Sequence, residues 1–324
     1  MRFVFNLSFG VIVALIVTVT VRQFVVSNDN LVNQAPAARA ESFEPSTPNN
    51  LNQQWKVSSQ EAMDLIDQGA TLLDARGLRR PLAQQIQGAL STQWRHFSQS
   101  ESMHQGKLLD DTSILQEKIR QLGISDHTPV VVFGDPLQGW GEEGRIVWML
   151  RVLGHRQAVW VDGGVQALID AGISTSIGLS TTEADVPGNF SAQLSDRWHI
   201  SRDELKQRLT DGQTILIDTR EEREYQGQTP YGEVRGGHIP GAIHLYFKEL
   251  LASDGTLLPN DEIEALLESH GITSETPIVA YCTGGIRSAW VTAVLVDLGF
   301  SIENYAGSTW EWAASPEDDY PLVQ

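Results

Sequence analysis

Two spacings of apolar residues alternate along most of this chain. Short, fully apolar, β-branched runs such as Ile215 to Ile217 and Ile278 to Tyr281 are separated by segments with a helical period, among them Arg202 to Leu209, Ile263 to Leu267 and Ala289 to Leu298. Strands apolar on both sides need cover on both faces. The pattern therefore predicts an α/β fold of parallel sheets with helices on each face. In such sheets ligands bind beyond the carboxyl ends of the strands, where loops lead into helix N-termini.

Two kinds of segment interrupt this alternation. Phe3 to Val21 is a run of 19 uncharged residues, long enough at 1.5 Å per residue to nearly span a hydrocarbon core of roughly 30 Å. Residues 1–26 are thus expected to form a transmembrane anchor or signal segment. The one good small-x-small site, Ala38-Arg39-Ala40, lies well beyond the apolar run, which favours an uncleaved anchor over a cleaved signal. Arg2 and the α-amine face Arg22 across the run, a slight preference for a translocated chain on the extracytoplasmic (periplasmic) side. A secreted or periplasmic product of signal cleavage is the alternative. Residues 27–54 are polar and Pro-rich and read as a flexible tether, and residues 174–197 form a second stretch of this kind, a linker.

The linker separates two copies of one unit, residues 55–173 and 198–324. Trp55-Lys-Val-Ser58 matches Trp198-His-Ile-Ser201, and Leu72-Leu-Asp-Ala-Arg76 matches Leu216-Ile-Asp-Thr-Arg220. Ile86-Gln-Gly-Ala89 answers Ile239-Pro-Gly-Ala242, and Pro129-Val-Val-Val-Phe133 answers Pro277-Ile-Val-Ala-Tyr281. Leu153-Gly154 and Val161-Asp-Gly163 complete the series with Leu298-Gly299 and Tyr305-Ala-Gly307.

Composition narrows the chemistry. The 324 residues carry 23 Lys plus Arg against 41 Asp plus Glu, a formal charge of -18 that repels phosphate backbones and makes nucleic acid an improbable partner. A single cysteine, Cys282, excludes an intrachain disulfide and any Cys-rich zinc site. It follows a predicted strand in the run Tyr281-Cys282-Thr-Gly-Gly-Ile-Arg-Ser288, with helix expected from about Ser288. Gly284 and Gly285 let successive amides converge on the sulfur, and the helix start adds positive potential. Both favour thiolate over thiol, as does Arg287 if it folds back over the loop. A phosphatase cradle places five residues between its Cys and Arg; here there are four, a smaller ring suited to the terminal sulfur of a persulfide.

These residues resemble the tandem-domain rhodanese family of sulfurtransferases, over nearly everything from Trp55 onward. The resemblance is carried by Asp218-Thr219-Arg220, the run Gly237 to Ala242, Cys282 to Ser288, and Tyr305 to Trp312. It implies that Cys282 accepts a sulfane sulfur, holds it as a persulfide against the amides of Thr283, Gly284, Gly285 and Ile286, and passes it to a thiophilic acceptor such as cyanide or a thiol. It implies no metal and no organic cofactor. Thr283-Gly284-Gly285 is similar to the small-residue loops of mercaptopyruvate-preferring relatives, whereas Arg287 restores one cation, so thiosulfate is the expected donor and 3-mercaptopyruvate the alternative. Arg287 and Arg235 are expected to receive the anionic donor at the domain interface; related enzymes carry a substrate-contacting arginine at the position of Arg235. The sequence leaves the oligomeric state undetermined.

The first copy has Gly134 where the second has Cys282, and is expected to be catalytically silent. Asp218 and Arg220 read as a structural ion pair, since Asp74 and Arg76 repeat them in the silent copy. His238 reads as a backbone-bonding residue, Trp310 and Trp312 as packing residues, and Glu221 to Glu224 as a solvated helix start. The competing class is a non-enzymatic, membrane-tethered module that binds sulfur or a partner, against which the intact cysteine loop weighs.

Overall fold

The computed structural model of the chain describes residues 51–77, 84–178, 180–212 and 214–324. The anchor or signal segment expected over residues 1–26 lies outside the described residues, as does all but the end of the tether. Among the described residues, no helix is long and apolar enough to cross a membrane. The last tether residues dock on the first domain, where Leu51 is buried and the Arg151 guanidinium donates to the carbonyls of Leu51, Asn52 and Gln54.

The first copy runs β1 (Lys56–Val57), α1 (Ser59–Asp67), β2 (Thr71–Asp74), β3 (Gln85–Ile86), β4 (Leu90–Ser91), a 3-10 turn (Trp94–Phe97), α2 (Thr112–Gln121), β5 (Val130–Phe133), α3 (Glu142–Val152), β6 (Ala158–Val161), α4 (Gly164–Asp170) and β7 (Thr175–Ser176). Its five-stranded sheet has the order β1-β6-β5-β2-β4, with every pairing parallel. The second copy follows with α5 (Arg202–Asp211), β8 (Ile215–Asp218), α6 (Glu222–Tyr225), β9 (Ile243–His244), a 3-10 turn (Phe247–Leu250), α7 (Asn260–Ser269), β10 (Ile278–Tyr281), α8 (Arg287–Asp297), β11 (Ile302–Asn304) and α9 (Ser308–Ala314). Its parallel sheet has the order β11-β10-β8-β9, and a bridge from His199 to Asn304 stands where the first copy has β1. The α/β reading and the repeat thus coincide with equivalent strands: Leu72 pairs with Val131 as Leu216 pairs with Val279.

The repeat also sets how each unit begins. Ser58 accepts from the Glu61 amide at 3.2 Å while Glu61 accepts from the Ser58 amide at 2.8 Å, and Ser201 and Glu204 form the same reciprocal cap on α5. Such a box satisfies two of the amides a helix start leaves unpaired. Each sheet buries one face in a core of its own, around Val131 and Val159 in the first copy and Val279 and Tyr281 in the second. The other faces share one continuous core, into which α3 and α8 pack against each other. Helix α8 is therefore buried on nearly every side, which explains why its apolar residues show no single stripe.

The stretch 174–197 is not a free linker. Residues Thr175–Ser176 pair with β3, and the amides of Ala184, Gly188, Phe190 and Gln193 donate to carbonyls of the silent domain, with Phe190 fully buried in the shared core. Polar composition concealed this strap because backbone groups rather than apolar side chains supply most of its attachment.

Candidate active site

Strand β10 ends at Tyr281, and Cys282 opens the turn into α8, one residue earlier than expected at Arg287. Cys282 is 1% exposed. Its sulfur receives the Gly285 amide at 3.1 Å and the Ser288 hydroxyl at 3.6 Å. Gly285 adopts φ +76°, and a Cβ there would lie 2.6 Å from the Ala306 carbonyl oxygen, so only glycine can present that amide to the sulfur. From the other side the Ser308 hydroxyl accepts the Cys282 amide at 3.1 Å and donates to the Tyr305 carbonyl at 2.8 Å. Ser308 itself has φ +53°, a costly backbone for a residue with a Cβ, held where it supports the nucleophile.

Burial on its own would push the Cys282 thiol up, but the Arg287 charge and hydrogen bonds from Ser288 and the Gly284 amide outweigh it and hold the thiol below its ordinary value. The sequence-based reading of a loop that stabilises thiolate matches this geometry. Arg287, expected to receive the donor, does line the cavity above Cys282, but its charge is already paired. Its guanidinium is bidentate to Glu224, at 2.6 and 2.8 Å, and also donates to Thr283 Oγ1 at 2.7 Å. Thr283 in turn donates to Glu224 at 2.5 Å, closing a buried triangle under the loop. Burial would push the Glu224 carboxyl up, yet the bonds from Arg287 and Thr283 hold it below the usual range. Glu224, expected to be solvated, is fully buried. Its neighbours Glu221 and Glu222 at the start of α6 disguise it, and only tertiary structure sets it apart.

Arg235 is likewise placed elsewhere. Its guanidinium donates to the carbonyls of Ala313, Trp312, Ser315 and Tyr320 at 2.8 to 3.2 Å, which ties the C-terminal segment to the domain, and it does not line the cavity above Cys282. The structural readings of Asp218 with Arg220 and of His238 agree with the geometry: the pair is buried at 2.6 Å, and His238 Nδ1 meets the Tyr225 carbonyl at 3.0 Å.

Above the sulfur lies a cavity of ≈ 150 Å³ built by both domains. Tyr231, Cys282, Thr283, Gly284, Ile286, Arg287 and Trp310 line it from the catalytic copy, and Trp94, Arg95, Gln105 and Trp140 from the silent one. Trp140 meets Tyr231 edge to face at 5.2 Å, joining the domains at the rim. Arg95 stacks over Trp94 at 4.4 Å and donates to Gln105 at 3.4 Å. Trp310, read as a packing residue, is thus part of the wall, while Trp312 is core. The silent domain's contributions could not be read from the sequence, because none lies at a position equivalent to the cysteine loop. Among the described residues no group of His, Cys, Asp and Glu is arranged to hold a metal ion.

In the silent copy Gly134 directly follows β5, and a Cβ there would overlap the Glu143 carboxylate, so an acid occupies the place of a nucleophile. Burial pushes that carboxyl up to about 8.

Comparison with known proteins agrees with this architecture. The rhodanese-like domain family matches residues 201–315. SseB of Mycobacterium tuberculosis is 33% identical over 205 residues, covering 62% of this chain and 70% of SseB. Mouse 3-mercaptopyruvate sulfurtransferase is 31% identical over 60% of this chain and 67% of its own length, and the thiosulfate sulfurtransferase of Azotobacter vinelandii 30% over 64% and 75%. The chain belongs to the rhodanese family of sulfurtransferases. A solved anaerobic ergothioneine biosynthesis enzyme from Chlorobium limicola shares the fold, with a TM-score of 0.71 and 21% identity over 84% of this chain and 70% of that one.

Proposed function

We propose that this chain moves sulfur from a small anionic donor to a thiophilic acceptor through a persulfide on Cys282. The observation that carries the reading is a buried thiol, held toward thiolate, at the floor of a cavity that both domains wall. The Cys282 thiolate attacks the donor sulfur and forms an S–S bond, while the bond from that sulfur to the rest of the donor breaks and its electron pair leaves with the remnant. An acceptor nucleophile then takes the outer sulfur, and the electrons of the S–S bond return to Cys282 as thiolate. The Gly285 amide can stay on the inner sulfur throughout, which favours a leaving thiolate as well as an attacking one.

For the donor, the pairing of Arg287 with Glu224 weighs against the sequence-based preference for thiosulfate, because that preference rested on an available loop cation. Rings of Trp94, Trp140, Tyr231 and Trp310, with Arg95 in the wall, suit an organic monoanion better than a compact dianion. We therefore place 3-mercaptopyruvate first and thiosulfate second. With 3-mercaptopyruvate the remnant leaves as the enolate of pyruvate and is protonated; with thiosulfate it leaves as sulfite. Incubation with each donor should add one sulfur mass to the protein and none to Cys282→Ser, and the ratio of kcat/KM values ranks the donors. A strong thiosulfate preference would reverse the order; no sulfur adduct and no turnover with either would favour the binding-module reading.

Location is proposed from the sequence alone: residues 1–26 would hold the catalytic pair at a membrane, on its extracytoplasmic side.

A further inference from the structure

Arg145 projects from the second turn of α3 in the silent domain and is 1% exposed. Among the described residues no carboxylate lies within ion-pairing distance of it. Its guanidinium instead crosses the interface and donates to the Gly285 carbonyl at 3.1 Å, to the Gly106 carbonyl at 2.6 Å and toward the Ser98 hydroxyl at 3.5 Å, while lying 4.5 Å from the Trp148 ring. Gly285 is the residue whose amide reaches the Cys282 sulfur. Its carbonyl also receives Asn304 Nδ2 at 3.4 Å. Gly106 is pressed into the same place, where a Cβ would lie 2.5 Å from the Gly284 carbonyl oxygen. One side chain of the silent domain thus pins the peptide that follows the amide donor.

We propose that Arg145 is a positioning residue for sulfur transfer, fixing the Gly285 amide on Cys282 and lending the loop a positive charge from the domain that has no nucleophile. The inference rests on the persulfide reading above. A buried guanidinium with no carboxylate is expensive unless an anion compensates it. The facing ionisable groups are few. Cys282 lies across the loop and its anion favours the Arg145 cation; burial, and then Arg145 itself, push the His199 imidazole down. Arg287 also faces the sulfur and its charge favours the thiolate, although it shares that charge with Glu224; Arg145 adds a second cation that has no carboxylate of its own. The Arg145 cation and the Cys282 anion therefore support each other across the interface, whether the anion is thiolate or persulfide.

The repeat strengthens the case. The residue equivalent to Arg145 on α8, counted from each helix start, is Trp290, and Trp290 packs against Gly141 at the end of the silent loop and Gly144 in α3. Each helix inserts its fourth residue into the other domain. The silent loop receives an apolar plug and the live loop a cation.

Two variants of the full chain separate charge from position. Arg145→Gln keeps an amide donor without charge, and Arg145→Lys keeps the charge without the two-pronged grip. Because Cys282 is the only cysteine, the pH dependence of iodoacetamide alkylation reports its ionisation without ambiguity and without any donor. Arg145→Gln should move that profile to higher pH, lowering the thiolate fraction at neutral pH about tenfold, and should lower kcat with little change in KM. Arg145→Lys should keep the profile near wild type yet still lose kcat, because the Gly285 peptide is held less firmly. Should one variant fold poorly, the other carries the test. A folded variant with wild-type alkylation profile and kcat would overturn the proposal. A wild-type profile at low pH that shifts in Arg145→Gln, with no donor able to load Cys282, would instead uphold Arg145 and overturn the functional reading.

Discussion

Replacing Glu224 by glutamine tests what the buried triangle under the cysteine loop does. In the wild-type chain the Glu224 carboxylate takes two bonds from Arg287 and one from Thr283, all within 2.8 Å and shielded from water. Removing one partner of a buried pair leaves the other charge without compensation, which typically costs 3 to 5 kcal/mol; Gln retains a carbonyl acceptor, so about 3 kcal/mol is expected. For a chain of this size that lowers the thermal midpoint by roughly 6 to 12 °C. The sign with pH follows from the depressed carboxyl: its stabilisation is present above the ordinary glutamate value near 4.3 and is lost as pH falls through the lower folded value, so wild type and variant should converge in acid. The freed Arg287 charge should also alter donor choice. At a separation of ~6 Å and an effective dielectric of ~20, one additional unit of donor charge gains about 2.8 kcal/mol, and solvent at the cavity mouth cuts this to about tenfold in kcat/KM for thiosulfate relative to 3-mercaptopyruvate. Thermal melts at several pH values and kcat/KM for both donors make the assay. An unchanged midpoint together with a donor ratio within about twofold of wild type would refute the view that Glu224 neutralises Arg287.

Other expectations follow from the same geometry. Arg235→Ala should lower stability by about 1 to 3 kcal/mol, through carbonyls left without a donor, while KM for either donor stays within about twofold; a large KM increase with an unchanged melt would restore its substrate role. Glu143→Gln should stabilise the chain increasingly as pH rises from the ordinary carboxylate value toward the folded value of about 8, since the wild-type protein must keep that acid protonated against solvent; melts showing an equal gain at pH 5 and pH 8 would contradict it. Gly134→Cys should not create a second sulfur carrier, because Glu143 fills the space, and two sulfur masses after donor treatment would show otherwise. The full-length protein should sediment with membranes and resist carbonate extraction, and its recovery as soluble protein with Glu41 at the N-terminus would identify a cleaved signal instead.

What could be read from the sequence and what could not divide along physical lines. The strands, the repeat and the cysteine loop were legible because each is local: apolar runs of four residues make parallel strands, and Cys282, Gly284 and Gly285 act through backbone groups within three residues of the sulfur. Capping boxes at Ser58 and Ser201 are local in the same sense. Arg287 was found as a cation, but its charge state in the site depends on Glu224, which is 63 residues away in the chain and looks like one more acid in an acidic helix start. The equal exposure expected of Glu221, Glu222 and Glu224 fails only at the last, whose place on α6 turns it under the loop. Arg235 failed for the opposite reason. A motif position suggested a substrate contact, whereas four carbonyls of the C-terminal segment, none of them visible as a motif, already take its donors.

The absence of a cysteine at Gly134 has a structural counterpart. A parallel sheet offers one loop-to-helix site at its carboxyl edge, and packing two copies through equivalent helices α3 and α8 brings both sites toward one interface. Two live loops would place two thiolates, and each persulfide they carry, in a shared low-dielectric region where like charges repel. With Gly134 and a protonated Glu143 in one loop, that region holds a single sulfur, and the silent domain surrounds it with other groups: the Arg145 guanidinium on the Gly285 carbonyl, and Arg95 with the rings of Trp94 and Trp140 in the cavity wall. On this argument the silent copy supplies part of the active site, and its removal should cost the remaining domain its cavity wall and the Arg145 contact to the Gly285 carbonyl.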